Sequence, residues 1–173
     1  EQDGAYSSSR RNGAYVYVFT VLDIVPGEEK NGIPHAEGAA LDCGSLYYSE
    51  GTGTDRVLVV ASVDTASPWA FSDTKAVYYE GSLLYVSGDS IYVAQTLADQ
   101  TELFKLSYEE GRMEAVGSGR FLGYLKDPFS MDEYGGYLRI AATVTDSESG
   151  GQANSLYVLD EELRIAGYIH NIA

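Results

Sequence analysis

The chain has 173 residues and repeats one short pattern three times. In each copy, a glycine stands shortly before a triplet of alternating, strand-forming residues. The triplets are residues 16–18 (Val-Tyr-Val), 91–93 (Ile-Tyr-Val) and 139–141 (Arg-Ile-Ala), and the glycines are Gly13, Gly88 and Gly136. A glycine turn that leads into a short strand is typical of a β-hairpin. The repeat therefore predicts three hairpins built on one plan.

A second repeated unit places an acidic turn between two strands. Residues 103–113 and 156–165 share it, and residues 56–64 with 76–79 form a looser first copy. Together the two patterns predict three copies of a four-stranded meander, over residues 4–81, 82–124 and 125–173. The first copy is the longest because residues 23–55, rich in Gly, Glu and Pro, are expected to form an excursion between its second and third strands.

Successive four-stranded sheets at such spacing are typical of a β-propeller. The composition agrees, because 15 Tyr and 19 Gly accompany few runs of helix-favouring residues. We therefore expect one all-β domain over residues 1–173, consisting of about three four-stranded antiparallel blades of a partial β-propeller. Repeat spacing does not show whether the sheets form a ring, so a β-sandwich is the alternative.

The formal net charge of -15 argues against nucleic acid as a partner, because phosphate binding requires surface Lys and Arg. No apolar run approaches the roughly 20 residues of a membrane-spanning helix, so no membrane insertion by this segment is expected. The single cysteine, Cys43, has no internal disulfide partner. Cysteine usage therefore does not indicate a compartment.

The most distinctive run of the chain is residues 123–141, with the sequence GYLKDPFSMDEYGGYLRIA. Together with residues 6–11 (YSSSRR) and 154–160 (NSLYVLD), it resembles the signature of secreted bacterial and archaeal proteins with a C-terminal β-propeller distantly related to WD repeats. The resemblance implies a propeller fold and a secreted or cell-surface location, and it brings no catalytic residues. It also implies that the chain is an internal piece of a longer propeller.

Catalytic and metal-binding motifs are not found. Gly88 and Ser90 begin a nucleophile-elbow pattern, but Tyr92 stands where the second glycine is required. No phosphate loop, dinucleotide fingerprint or zinc-ligand cluster occurs. The acidic residues 146–151 offer oxygen ligands without EF-hand spacing. We therefore predict no catalytic residues, no cofactor, no metal site and no stabilisation by Ca²⁺.

Three candidate ligand-binding residues remain. Asp132 and Glu133 are adjacent in the first predicted strand of the third copy, which would line the central channel of a propeller. Hydrogen bonds to neighbouring blades are the structural alternative for both. Trp69 is the only tryptophan and lies in a connection between predicted strands. There it would stack on a ligand or, alternatively, pack between blades.

These observations predict a non-enzymatic, extracytoplasmic binding or scaffolding module whose loops recognise a protein or a glycan. The alternative is a hydrolase or lyase that uses the carboxylates of Asp132 and Glu133 at the channel. Isolated terminal blades would leave apolar faces in water. We therefore expect that this segment, expressed alone, forms a dimer or higher oligomer through its terminal blades, or else that it is a portion of a longer chain.

Overall fold

The structure is a computed structural model that describes residues 1–25, 32–48, 55–79, 83–145 and 150–172. These residues form β-strands and two short 3-10 turns, Cys43–Ser45 and Pro128–Ser130, so the prediction of an all-β fold is confirmed. In this part of the chain, no helix is long and apolar enough to span a membrane. The chain divides into two compact units: Glu1–Glu80 with Tyr108–Ala115, and Gly81–Ser107 with Val116–Ala173.

The first sheet lies in the first unit and is built on an antiparallel meander of four strands. These strands are β1 (Ala5–Asn12), β2 (Tyr15–Asp23), β6 (Arg56–Asp64) and β7 (Asp73–Tyr78). Val57, Val59 and Ala76 of the two last strands are fully buried and form a core with partly buried neighbours such as Leu22 and Leu46. The β-branched and aromatic residues of β2 and β6 suit such a pleated, buried surface.

The segment between β2 and β6 contains more structure than the expected excursion. It includes the hairpin of β3 (His35–Ala36) and β4 (Ala39–Ala40), the first 3-10 turn, and β5 (Leu46–Tyr48). Strand β5 pairs in parallel with β7, so the sheet has five strands in the order β1-β2-β6-β7-β5. The predicted four-stranded antiparallel meander is present, and β5 adds a fifth strand that was not predicted, because parallel pairing joins segments distant in sequence and leaves no local signal. Residues 26–31 and 49–54 lie outside the described residues.

The other two sheets are four-stranded and antiparallel, as predicted. The second has the order β11-β10-β9-β8 and the third β12-β13-β14-β15. Their strands are β8 (Leu83–Val86), β9 (Ser90–Leu97), β10 (Gln100–Glu109) and β11 (Arg112–Leu122), then β12 (Met131–Tyr134), β13 (Tyr137–Thr145), β14 (Gln152–Leu159) and β15 (Ile165–Ile172).

The repeated glycines occupy the turns that precede β2, β9 and β13. Gly13 and Gly136 have φ values of 57° and 82°, in the left-handed region that glycine adopts without steric cost. Gly88 occupies its turn without a φ in that region. The repeat therefore identified all three turns, although only two of them require glycine for its conformation.

Described residues of the second unit form a buried core. Strand β13 alternates buried and exposed residues, so Leu138, Ile140 and Ala142 point to one face. They pack in one cluster with buried residues of the second sheet, including Tyr92 and Leu103. Burial of each large side chain in this cluster contributes roughly 1.5–3 kcal/mol. Face-to-face packing of successive four-stranded sheets is the arrangement expected of propeller blades.

Candidate functional site

Glu133 lies on β12 with its side chain 19% exposed, at the edge of the core of the second unit. Its Oε1 accepts a hydrogen bond of 2.9 Å from the Tyr92 hydroxyl and lies 3.9 Å from the Lys105 ammonium nitrogen. The Ser90 hydroxyl is 3.5 Å from the same oxygen. We call these four residues the Glu133 cluster. Its carboxylate is already engaged by donors from two strands of the second sheet.

Tyr92 and Lys105 of this cluster are both buried, with 1% and 7% of their surface exposed. Burial, and then the hydrogen bond to Glu133, raise the pKa of the Tyr92 hydroxyl far above its usual range. This hydroxyl therefore stays protonated and donates to the carboxylate at neutral pH. The Lys105 ammonium nitrogen lies 5.5 Å from the centre of the Tyr92 ring and donates to the Glu161 carbonyl oxygen at 3.4 Å. The Glu133 carboxylate and the Lys105 ammonium therefore each have polar partners within the fold.

Asp132 is exposed and forms an ion pair with Arg139 of the neighbouring strand. The Arg139 guanidinium in turn lies 4.8 Å from the centre of the Tyr134 ring. Asp132 pairs with Arg139 and Glu133 with Leu138 across the β12–β13 ladder, so the two carboxylates point to opposite faces of the sheet. They do not converge on one point, as an acid and base acting on the same bond must.

Trp69 lies in the connection between β6 and β7, and its surface is 90% exposed. We call residues 65–72 the Trp69 loop. The loop begins on Asp64, whose side chain accepts the Ala66 N–H at 2.8 Å and whose carbonyl accepts the Ser67 N–H at 3.0 Å. The Thr65 N–H donates to the Ala14 carbonyl at 2.9 Å. These bonds fix the first half of the loop.

The second half of the Trp69 loop is held by the β3–β4 hairpin. The Phe71 N–H donates to the Glu37 carboxylate at 3.0 Å, and Glu37 has a φ of 53° in the turn of that hairpin. The Ser72 N–H donates to the Ser62 carbonyl at 2.8 Å. The segment between β2 and β6 therefore helps to position the Trp69 loop, and the indole is attached to an anchored backbone.

Phe129 is, like Trp69, an almost fully exposed aromatic residue, and the sequence did not indicate it as a candidate. It is 95% exposed on the turn Pro128–Ser130, where Asp127 and Ser130 form a reciprocal capping box. The sequence signal was present, since Asp-Pro followed by Ser is a typical turn start with proline at the first position. What the pattern could not show is that the ring points into solvent.

A polar hollow of about 640 Å³ lies in the first unit beside β7. Asp73, which lines this hollow with 18% of its side chain exposed, is already hydrogen-bonded by neighbouring groups of the fold. One carboxylate oxygen accepts the Thr74 N–H and the Lys75 ammonium, each at 2.8 Å. The other accepts the Met113 N–H at 2.7 Å. Asp73, the first residue of β7, thus connects this strand to the start of β11 by a hydrogen bond and has a structural role.

The predicted absence of a metal site is only partly addressed by the structure. Residues 146–149 of the acidic loop lie outside the described residues. Within the described ranges, no group of three or more His, Cys, Asp or Glu side chains is arranged to hold a metal ion.

A family model described as the β-propeller domain matches residues 1–173. It supports the propeller part of the resemblance drawn from residues 123–141 and favours a propeller over a sandwich. The relation to WD repeats and the secreted location stay predictions.

Two archaeal proteins, both described as uncharacterized, are similar over shorter stretches. The Archaeoglobus fulgidus protein is 44% identical over 71 residues, which are 41% of this chain and 10% of that protein. The Methanocaldococcus jannaschii protein MJ1554 is 43% identical over 53 residues, 30% of this chain and 8% of that protein. The chain thus matches a tenth or less of the length of these relatives.

Among solved structures, an acylaminoacyl peptidase from Pyrococcus horikoshii is similar with a TM-score of 0.51 and 9% sequence identity. The similarity covers 95% of this chain and 24% of the peptidase chain. At this identity the likeness shows the fold alone.

Proposed function

This chain belongs to the β-propeller domain family, and we propose that it acts as a non-enzymatic binding or scaffolding module outside the cytoplasm. Its ligand, a protein or a glycan, would bind at the surface formed by the Trp69 loop. The proposal rests on one observation: the indole of Trp69 is 90% exposed although hydrogen bonds fix the loop on both sides of it.

An anchored, exposed tryptophan suits recognition for energetic reasons. Large aromatic side chains supply much contact area and are enriched among the residues that dominate binding energy. Because the backbone of the Trp69 loop is already fixed, binding costs little further loop ordering. A single exposed apolar residue is common on protein surfaces. The anchoring by Asp64 and Glu37 is what distinguishes this one.

The alternative, a hydrolase or lyase using Asp132 and Glu133, gains no support from their geometry. The two side chains point to opposite faces of β12, and each carboxylate already has a cationic partner. Their role as ligand-binding residues stays a prediction. For Glu133, binding a ligand would require displacing Tyr92 or Lys105, whereas the exposed Asp132 would have to exchange Arg139 for the ligand.

Location outside the cytoplasm is proposed from the resemblance of residues 123–141 to secreted propeller proteins. Labelling intact cells with a membrane-impermeant amine reagent tests it directly. The native protein should be labelled on intact cells to the same extent as after lysis, whereas labelling only after lysis would contradict the proposal.

We propose self-association through the third sheet, for which its outward-facing side and the outer edge of β15 are the two available surfaces. Leu156 and Ile169 pair across β14 and β15 and are 44% and 61% exposed. Together with Ala141 beside Leu156, they form an apolar strip that water contacts. Covering such a strip on another chain is favourable by roughly 25 cal/mol per Å² of apolar surface.

The binding proposal can be tested with the intrinsic fluorescence of the chain, because Trp69 is its only tryptophan. An array of oligosaccharides and peptides would first be screened with the 173-residue chain. A ligand bound at the Trp69 loop should shift the emission to the blue and protect the indole from quenching by acrylamide. A ligand that binds without changing either signal would place the site elsewhere and contradict the proposal.

A matched set of variants sharpens this test. Trp69→Ala should lower affinity at least tenfold, whereas Phe129→Ala removes another almost fully exposed aromatic ring and should leave affinity unchanged. Trp69→Phe should retain part of the affinity because it keeps an aromatic face. Equal losses for Trp69→Ala and Phe129→Ala would indicate non-specific adhesion by exposed rings.

A further inference from the structure

The last strands of the three antiparallel meanders, β7, β11 and β15, differ in how their outer edges are protected. In the first sheet, β7 is covered by the added strand β5. In the second, β11 carries Arg112, Glu114 and Arg120. In the third, β15 has eight residues and includes no Asp, Glu, Lys, Arg or Pro. Proteins usually protect sheet edges with a covering segment, with charges or with proline; β15 has neither Asp, Glu, Lys, Arg nor Pro, and among the described residues no strand pairs with its outer side.

Strand β15 offers a short regular stretch for pairing. Gly167, Tyr168 and Ile169 pair without a register shift to β14, and irregularities lie on either side of them. Such irregularities limit how far another strand can continue. The regular stretch is three residues long, the same length over which β5 pairs with β7. The first sheet thus shows that an outer strand of this chain accepts a short additional strand.

We propose that β15 is a homotypic pairing edge, at which the β15 strand of a second copy adds in antiparallel orientation across a two-fold axis. Tyr168 and Ile169, which are 62% and 61% exposed, point to opposite faces of the sheet, since they pair with Tyr157 and Leu156 respectively. Pairing would bury apolar contacts on both faces at once.

A second copy is the occupant that the chemistry of β15 favours. The strand contains no charge that would select a complementary partner, and two copies of it do not repel each other locally. In a two-fold interface every contact is made twice from one sequence. Uncharged segments with high β-propensity are also the ones most prone to pair with themselves.

The net charge of -15 gives the pairing an ionic-strength dependence. Two copies repel over long range at low salt, and added salt screens this repulsion. The dimerisation constant should therefore tighten by roughly tenfold between 0.05 and 0.5 M NaCl. Association driven by attraction between opposite charges would weaken instead, so the sign of the salt effect separates the two mechanisms.

Sedimentation equilibrium of three lysine variants shows whether the chains associate through the edge of β15 or through the apolar strip of the third sheet. Tyr168→Lys and Ile169→Lys place a charge at the edge, whereas Leu156→Lys places one on the interior strand β14, on the same face as Ile169. We expect wild type and Leu156→Lys to dimerise and both edge variants to be monomeric. Their urea midpoints, compared with wild type, show that the variants are folded.

Other outcomes overturn the proposal in distinguishable ways. If Leu156→Lys and Ile169→Lys are monomeric and Tyr168→Lys is dimeric, the chains associate through the apolar strip rather than through the edge. A wild-type protein that stays monomeric at 0.5 M NaCl and 0.2 mM protein also contradicts the proposal. So does dimerisation of the wild type and of all three lysine variants. As an independent readout, hydrogen exchange at residues 167–169 should slow as protein concentration rises. Trp69→Ala should leave dimerisation unchanged, so the proposal does not depend on the ligand surface.

Discussion

The Glu133 cluster in the second unit and the Trp69 loop in the first unit differ in where their functional groups find partners. Glu133 has a hydroxyl at 2.9 Å and an ammonium at 3.9 Å inside the fold. Trp69 is anchored only through its backbone neighbours, and its ring is left to solvent. A group whose partners lie within the chain stabilises the fold, whereas an exposed side chain on an anchored backbone is available to a ligand. We therefore propose that the Glu133 cluster stabilises the fold and that the Trp69 loop binds the ligand.

The largest stability effect is expected for Lys105→Met. Removing the ammonium leaves the half-buried Glu133 carboxylate without its cation, which should lower the free energy of unfolding by about 3 kcal/mol. Urea unfolding followed by circular dichroism measures the change. The matched control is Lys126→Met at an exposed lysine, which should change stability by less than about 0.5 kcal/mol.

The double variant Lys105→Met/Glu133→Leu sharpens this prediction. Replacing both charges with apolar groups removes the uncompensated carboxylate, so most of the lost stability should return. If the double variant is less stable than Lys105→Met, the cluster is not a compensated pair.

Tyr92→Phe should lower stability by about 2 kcal/mol at pH 7, because it removes a buried hydrogen bond to a charged acceptor. Tyr92 also has a raised pKa in the folded state, so its contribution is fully present below the unfolded value near 10 and is lost as pH rises through the folded value. Between the unfolded and folded pKa values, ionisation of Tyr92 in the unfolded state lowers the free energy of unfolding by up to about 1.4 kcal/mol per pH unit. Tyr92→Phe should therefore flatten the loss of stability at alkaline pH, measured by urea unfolding at a series of pH values.

Asp132→Asn should change stability by less than about 0.5 kcal/mol, because its ion pair with Arg139 is exposed on both sides. The adjacent carboxylates of Asp132 and Glu133 would then differ several-fold in their contributions to the free energy of unfolding. A loss of 2 kcal/mol or more in urea unfolding would show that the exposed pair belongs to a larger network.

The smallest stability effect is expected for Trp69→Ala. The ring is 90% exposed, so its removal should leave the free energy of unfolding within about 0.5 kcal/mol of wild type. Thermal unfolding followed by circular dichroism checks this. A shift of the midpoint by several degrees would mean that the indole packs within the fold, as the structural alternative for this residue supposed.

The fold class could be predicted because its signals are local. Alternating triplets such as residues 91–93 and the acidic turn near Glu110 depend only on neighbours in sequence, and both occur in the strands and turns expected. Strand β5 was not predicted, because its parallel pairing with β7 joins segments that share no turn. Short parallel strands carry no periodicity of their own that separates them from a loop.

The environment of the candidate site could be predicted only in part. The opposite orientation of Asp132 and Glu133 follows from strand alternation alone. The partners of Glu133 do not, since Tyr92 and Lys105 come from another sheet and are brought near by packing of apolar faces. Trp69 shows the same limit, because its sequence neighbours do not reveal that Glu37 of a distant hairpin holds the loop.

The most direct test of the assignment of recognition to the Trp69 loop is a comparison of ligand affinity in two variants. With a ligand found on the oligosaccharide and peptide array, fluorescence anisotropy of the labelled ligand would be measured for wild type, Trp69→Ala and Glu133→Gln. The account predicts at least a tenfold weaker Kd for Trp69→Ala, about 1.4 kcal/mol or more, and an unchanged Kd for Glu133→Gln. An unchanged Kd for Trp69→Ala with a tenfold loss for Glu133→Gln would contradict it and move the site to the second unit.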